Sequence, residues 1–97
     1  MKKTQTRLKF KRVKGLRDDT GMKLHGLADV YPLQIESKLK GKKELEIYLH
    51  EMLHYIYPTA SEEVVQRNSI VICNTLWTEG YRKVDNSNCI PMQDGTL

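Results

Sequence analysis

The residues Leu49-His50-Glu51-Met52-Leu53-His54 contain a complete H-E-x-x-H pattern. On a helix, residues four positions apart lie one above the other, so both imidazoles can bind the same Zn²⁺. Glu51 then lies beside the metal-activated water and can accept its proton. The pattern therefore predicts the metal-binding helix of a zinc hydrolase, with His50 and His54 as metal ligands and Glu51 as the general base.

The pattern lies in a segment typical of an amphipathic helix. From Lys42 to Tyr57 the chain contains neither Gly nor Pro, and Gly41 and Pro58 bound this segment. At about 100° per residue, the two histidines project about 150° away from an apolar stripe, which we expect to pack into a core. The alternative is that both histidines lie on a solvated helix face. The stripe consists of Leu45, Leu49, Met52 and Ile56.

A catalytic zinc site normally has three protein ligands and one open position, so a third ligand must come from another segment. His25 lies in a segment typical of a strand and turn, and we predict that it is a surface or strand residue. Glu62 and Glu63 follow the Pro58 break and are the better candidates.

Glu62 and Glu63 fall in the first turn of a second predicted helix, which either Thr59 or Ser61 could cap. Glu62 lies within about 60° of the predicted inward stripe of that helix, and Glu63 about 160° from it. This phase favours Glu62 as the third ligand and leaves Glu63 as the second choice. Glu62 could alternatively be a plain capping or helix-dipole residue. The stripe consists of Val65, Ser69, Ile72 and Leu76, with Cys73 at its margin.

Over about residues 24 to 83 the chain resembles the small zinc metallopeptidases encoded largely in phage and prophage genomes. These are minimal relatives of the gluzincins, akin to the minigluzincins and to ImmA/IrrE-type and SprT-like zincins. The resemblance implies His50, His54 and a helix glutamate as ligands, and Glu51 as general base. The gluzincin pattern puts that glutamate at Glu62, with Gln66 in place of its Asp or Asn. The segments that carry the resemblance are Leu49-His50-Glu51-Met52-Leu53-His54, Pro58, Ser61-Glu62-Glu63-Val64-Val65 and Leu76-Trp77-Thr78-Glu79-Gly80-Tyr81-Arg82.

Length and composition limit the class of protein. A chain of 97 residues with 39% hydrophobic and 29% charged residues is typical of one small globular domain. No apolar run approaches the roughly 18 residues of a membrane span, and the basic N-terminus lacks the apolar stretch of a signal peptide. Cys73 and Cys89 lack the spacing of metal ligands and are expected to be free thiols. We therefore expect a cytoplasmic protein without a membrane partner, in the host cell if it is phage-encoded.

The segments before the histidine helix predict a small sheet. Asp18-Asp19-Thr20-Gly21 predicts a turn, after which Met22 to Val30 would pair back as a hairpin. Leu33 to Glu36 predicts a further short strand. In the preceding segment, apolar residues stand among basic ones as in a strand with a solvated basic face; they are Leu8, Phe10 and Val13.

Together these segments predict an α+β fold, and the resemblance implies that it is a minimal zincin-like domain. A small N-terminal antiparallel or mixed β-sheet is followed by the HExxH helix and by a second, glutamate-bearing helix that ends near Gly80. We expect a single zincin-like metallopeptidase domain over residues 1–83 and a loosely ordered C-terminal tail over residues 84–97.

The N-terminal 17 residues carry eight Lys or Arg and no acidic residue. Such a cluster is a candidate for contact with nucleic acid, because it can neutralise phosphates. The alternative is a solvated strand whose lysines keep a sheet edge from pairing. No recognisable nucleic-acid-reading motif accompanies the cluster.

Three functions follow from these observations. The first is a zinc-dependent metallopeptidase that hydrolyses a peptide or protein substrate with a metal-activated water and Glu51 as general base. The second is a regulatory or nucleic-acid-associated binding module on a zincin scaffold, with weak or no peptidase activity. The third is a small phage protein that binds no metal.

An oxyanion formed during hydrolysis could be stabilised by Tyr57, Tyr81 or Arg82. Tyr81 and Arg82 are, however, more typical of helix-end packing and capping.

Overall fold

The computed structural model of the protein describes residues 6–84. In chain order, these residues form β1 (Phe10–Val13), β2 (Gly26–Leu27), β3 (Leu33–Glu36), α1 (Gly41–Ile56) and α2 (Glu62–Thr78). The predicted α+β class and the two helices are confirmed. Apart from Val84, the predicted tail lies outside the described residues. No helix within residues 6–84 is both long enough and apolar enough to cross a bilayer.

The three strands form a mixed sheet in the order β1-β3-β2. β1 pairs with β3 in parallel, with Phe10 opposite Leu33, and β2 pairs with β3 antiparallel, with Gly26 opposite Ile35. Met22 to Val30 therefore do not pair with β1, and the predicted hairpin is confirmed only close to its turn. β3 lies between the other two strands because its Leu33 and Ile35 side chains are fully buried and need neighbours on both sides.

The predicted turn after β1 is present, but the hairpin around it is short. Gly21 has a φ of 90° and donates its N–H to the Asp18 carbonyl at 3.0 Å. The Asp18 carboxylate accepts hydrogen bonds from the Thr20 hydroxyl at 2.6 Å and from the Thr20 N–H at 2.9 Å. The two arms are joined by an isolated bridge between Arg17 and Lys23. Antiparallel pairing in this turn therefore does not extend to β1 and β2.

α1 buries a different face from the one predicted. Its buried residues are Glu44, Ile47 and Glu51, whereas Ile56 of the predicted apolar stripe is 52% exposed. The prediction that Leu45, Leu49, Met52 and Ile56 form the core stripe is wrong. Several residues of that stripe instead line grooves, the larger of which occupies about 850 Å³ between α1 and the end of α2. The two histidines consequently lie beside the buried face of α1.

The burial of Glu44 explains why hydrophobic patterning selected the wrong face. Arg12 of β1 and Lys83 beyond α2 make ion pairs with this carboxylate at 2.7 and 3.3 Å. Burial alone would raise the pKa of Glu44, but the hydrogen bonds and charges of Arg12 and Lys83 hold it below its usual value. Leaving a buried carboxylate without partners costs about 3–5 kcal/mol, so the two cations permit this helix face to pack inward.

The helices α1 and α2 run antiparallel. Near one end of the pair, the Cys73 thiol donates to the Lys42 carbonyl at 3.6 Å, and near the other, Glu62 meets His54 at 2.7 Å. The buried residues of α2 are Val65, Ser69 and Cys73. Val65 and Ser69 confirm the predicted stripe, whereas Ile72 is 37% exposed and Cys73 takes its place in the core.

Local signals fix both ends of α2. Ser61 is the N-cap, and its hydroxyl accepts the Val64 N–H at 3.2 Å. At the other end, Gly80 has a φ of 99° and the Tyr81 N–H donates to the Leu76 carbonyl at 3.0 Å, the pattern of a Schellman cap. Of the two predicted caps, Ser61 is thus the one that starts the helix, and the helix ends as predicted near Gly80.

Glu36 makes the fold sensitive to acid. Its carboxylate accepts backbone N–H groups from Leu16 at 2.8 Å, Lys38 at 3.2 Å and Gly15 at 3.3 Å. These hydrogen bonds, chiefly the one from Leu16, hold the pKa of Glu36 below its usual value. A carboxyl with a lowered folded-state pKa adds stability that is complete above its unfolded pKa, about 4.3, and is lost as the pH falls through the folded pKa.

We therefore expect Glu36→Gln to lower the urea midpoint at pH 7 and to flatten its decline below about pH 4.3. Glu79→Gln, which changes an exposed carboxylate at the end of α2, is the matched control. A Glu36→Gln protein with the midpoint and acid sensitivity of the wild type would show that these hydrogen bonds add no net stability.

Candidate metal centre

His50, His54 and Glu62 converge where the end of α1 meets the start of α2. The two Nε2 atoms are 3.2 Å apart. Glu62 brings Oε1 to 2.7 Å from His54 Nε2, and Oε2 to 3.1 Å from His50 Nε2. Each residue thus offers one ligand atom, and these atoms lie within 4.8 Å of one another. Such a group of two imidazoles and a carboxylate could hold a metal ion.

The local sequence explains why these three residues meet. The four-residue spacing places both imidazoles on one side of α1, and the connection through Pro58 turns the chain back. Because Ser61 is the N-cap, Glu62 is the first residue of α2. A side chain in the first turn points toward the helix N-terminus, which here faces the last turn of α1.

Glu62 reaches the imidazoles from outside the core. We predicted that it would face inward with Val65, but its side chain is 69% exposed, so that part of the prediction is wrong. The angle around the helix axis does not account for the tilt of side chains toward the helix N-terminus. This tilt places the Glu62 carboxylate outside the core, over the two imidazoles. Glu62, the residue that helical phase favoured, is nevertheless the one whose carboxylate contacts both histidines.

The nitrogen spacing fits a tetrahedral metal. Two nitrogens bound at about 2.05 Å to a tetrahedral Zn²⁺ lie about 3.3 Å apart, and the observed separation is 3.2 Å. The oxygen-to-nitrogen distances of 2.7 and 3.1 Å are somewhat shorter. Without a metal, the same atoms are hydrogen-bond partners, with Glu62 accepting from the imidazoles.

His50 is held in the form that binds metals. Its side chain is 12% exposed. Burial, with His54 adding to its effect and Glu62 opposing it, holds the pKa of His50 below its usual value. The imidazole is therefore neutral near pH 7, and a neutral imidazole is the ligand that a metal requires.

Glu51 lies on the buried face of α1, next to this group but not part of it. It is 8% exposed. Burial raises the pKa of Glu51 to about 7, with the charges of Glu62 and Asp29 adding to the shift and His54 opposing it. A carboxyl group with a pKa near neutrality can both accept and release a proton during a reaction, as a general base must.

Gly26 of β2 is a neighbour of Glu51 that the sequence reasoning missed. A Cβ atom added at Gly26 would lie 2.6 Å from Glu51 Cγ and 2.9 Å from its Oε2. The signal was present, because a glycine inside a strand often marks the close approach of another group. His25, directly before it, is exposed and lies outside the metal-ligand group, as predicted.

Arg82, one of the predicted helix-end residues, lies far from this group. Arg82 packs 3.6 Å above the Trp77 ring and donates to the Trp77 carbonyl at 2.8 Å, the packing and capping contacts expected of it. α2 has 17 residues, so its ends are about 25 Å apart, and Arg82 lies at the end opposite Glu62. Arg82 is therefore not suited to stabilise an oxyanion at this group.

The predicted free thiol is present at Cys73, which is buried and unpaired, and burial raises its pKa. Cys89 lies outside the described residues. Cys73 is also absent from the ligand group formed within residues 6–84. The candidate centre thus uses nitrogen and oxygen atoms.

The chain matches no known family model, no curated protein and no solved structure. The resemblance to small phage-type zinc metallopeptidases stays a prediction. Function is therefore inferred from the residues that meet at this group.

The two glutamates at the start of α2 should differ in their effect on metal affinity. Glu62→Ala removes a carboxylate that touches both imidazoles, whereas Glu63→Ala changes an exposed neighbour outside the group. Loss of a residue that only supports a ligand costs about 10–100-fold in metal affinity, so we expect at least about 100-fold for Glu62→Ala and little change for Glu63→Ala. Competition with a chromophoric chelator measures both affinities. The reverse ranking would move the ligand to Glu63.

Proposed function

We propose that the protein is a zinc-dependent metallopeptidase in which His50, His54 and Glu62 bind the metal and Glu51 is the general base. One observation carries this proposal. Two imidazole nitrogens and one carboxylate converge within 4.8 Å, while the glutamate between the histidines is buried beside them and outside the group. Two histidines and a glutamate, with a fourth position left open, form the ligand set of known zinc peptidases.

The catalytic roles follow from this arrangement. Zinc held by these ligands would supply a Lewis acid that activates water and polarises the carbonyl of the scissile bond. The Glu51 carboxylate accepts the proton of the attacking water and delivers it to the leaving nitrogen. Glu62 is largely exposed, so substrate can approach from the side of the α2 N-terminus.

The sheet edge beside Glu51 supports a peptide as substrate. β2 is at the edge of the three-stranded sheet formed within residues 6–84. Glu36 donates its N–H to the His25 carbonyl at 2.8 Å, and paired residues alternate in an antiparallel ladder. The N–H and C=O of Gly26 therefore point away from β3. An extended peptide can form backbone hydrogen bonds with such an edge, which lies against the proposed general base.

The alternative of a nucleic-acid-associated binding module has less support. One member of the basic N-terminal cluster, Arg12, is bound to Glu44 at 2.7 Å and to the Tyr48 hydroxyl at 3.0 Å, so it has a structural role. Contact with nucleic acid through the remaining basic residues stays a prediction. The proposed location is the cytoplasm, where the buried thiol of Cys73 would remain reduced.

Hydrolysis of an unfolded polypeptide tests the proposed function. The zinc-loaded protein should cleave it, a chelator should stop cleavage, and added zinc should restore it. A zinc-loaded protein that cleaves unfolded polypeptides no faster than its chelated form would overturn the peptidase assignment.

A further inference from the structure

We propose that Gly26 is a positioning residue for Glu51, because the missing side chain at Gly26 leaves the space in which the Glu51 carboxylate is held beside the metal ligands. This inference rests on the proposed function and adds a residue of β2 to it. The contact itself can be tested whether or not the protein is a peptidase.

The contact is too close for any side chain larger than hydrogen. An added Cβ would lie 2.6 Å from Glu51 Cγ, 2.9 Å from Oε2 and 3.0 Å from Cδ, whereas real Cβ atoms essentially never approach within 3.0 Å. The nearest atom, Cγ, is not the free end of the side chain, since its position is set by the helix backbone and χ1. An alanine at position 26 would therefore force Glu51 out of its present conformation.

The backbone at Gly26 does not itself require glycine. The described glycines with positive φ are Gly15, Gly21, Gly41 and Gly80, and Gly26 is not among them. An alanine can adopt its backbone conformation without strain. The contact with Glu51 is thus the reason for having no side chain there.

β2 and α1 are not free to move apart. β2 is held by its pairing with β3, where Gly26 lies opposite the fully buried Ile35. α1 is held by the burial of Ile47 and by the ion pairs of Glu44. The Glu51 side chain is therefore the part that must give way. The three atoms nearest to the added Cβ all belong to Glu51 and none to the proposed metal ligands, so the clash falls on Glu51.

A urea-unfolding cycle of the full chain, at one fixed zinc concentration, tests the contact. Gly26→Ala should lower the unfolding midpoint of the wild type, because Glu51 must move against packed neighbours. In a Glu51→Ala background the same change should lower the midpoint much less, because the clashing atoms are gone. Equal decreases in the two backgrounds would overturn the contact and the proposal with it.

A kinetic cycle tests the positioning role. A displacement of about 1 Å in a catalytic group can cost about 100-fold in rate, so Gly26→Ala should lower kcat for peptide hydrolysis by about that factor, with KM and zinc affinity unchanged. In a Glu51→Gln background it should lower kcat no further. Lys23→Ala is the control, since it shortens an exposed side chain shortly before β2, and it should keep kcat near that of the wild type.

Full kcat in Gly26→Ala, or an equal loss in Lys23→Ala, would overturn the positioning role. An inactive zinc-loaded wild type would instead overturn the proposed function, and the urea cycle would still decide whether Gly26 makes room for Glu51.

Discussion

Replacing His50 or His54 with alanine should reduce zinc binding from about one ion per chain to near zero. Each imidazole is one of the three proposed ligands, and the two Nε2 atoms lie 3.2 Å apart, so neither can be lost without leaving an incomplete set. Metal analysis after gel filtration measures the stoichiometry. Circular dichroism should show that both variants keep their helices, because the imidazoles lie beside the buried face of α1 and are not part of it.

His25→Ala is the matched control, since it removes the third histidine of the chain from an exposed site outside the ligand group. It should keep the zinc content of the wild type. Full zinc content in both His50→Ala and His54→Ala would refute the assignment of these histidines as ligands.

Glu51→Gln should slow peptide hydrolysis strongly while leaving zinc bound. The amide keeps the size of the buried side chain but cannot accept a proton, and general-base catalysis contributes about 10²–10⁴-fold to rate. We therefore expect kcat to fall at least about 100-fold, with zinc content unchanged. Zinc analysis and a peptide-cleavage assay on the same preparation separate the two effects.

Glu79→Gln is the control for Glu51→Gln, since it neutralises an exposed glutamate at the end of α2 opposite Glu62. It should retain activity. Loss of zinc together with activity in Glu51→Gln would mean that Glu51 is a ligand. Unchanged activity would remove Glu51 from the reaction.

Features that depend on local sequence were predictable. The limits of α1 followed from Gly41 and Pro58, because helix ends are set by a few adjacent residues. The start of α2 was narrowed to two possible caps, Thr59 and Ser61, of which the structure has Ser61. β3 coincides with the predicted strand Leu33–Glu36. The choice of Glu62 as the residue closest to the histidines also came from the sequence, through helical phase and the Pro58 break.

Features that depend on distant residues were not predictable from local patterns. The inward face of α1 is decided by the Glu44 carboxylate, whose partner Arg12 is on β1, and hydrophobic spacing treats every glutamate as solvated. The predicted strand pairing was wrong for a similar reason. The parallel pairing of β1 with β3 joins segments that are separated in the chain by a turn and by β2. Glu62 is exposed because α2 begins at that residue and its side chain tilts back toward α1.

The central claim is that two imidazoles and a carboxylate of this chain bind one zinc ion. X-ray absorption at the zinc edge, on protein loaded with one equivalent, tests it most directly. We expect nitrogen and oxygen ligands at about 2.0–2.1 Å, with the scattering pattern of two imidazoles, and loss of that pattern in His50→Ala. A shell of sulfur at about 2.3 Å, or a spectrum without imidazole scattering, would contradict a centre formed by His50, His54 and Glu62.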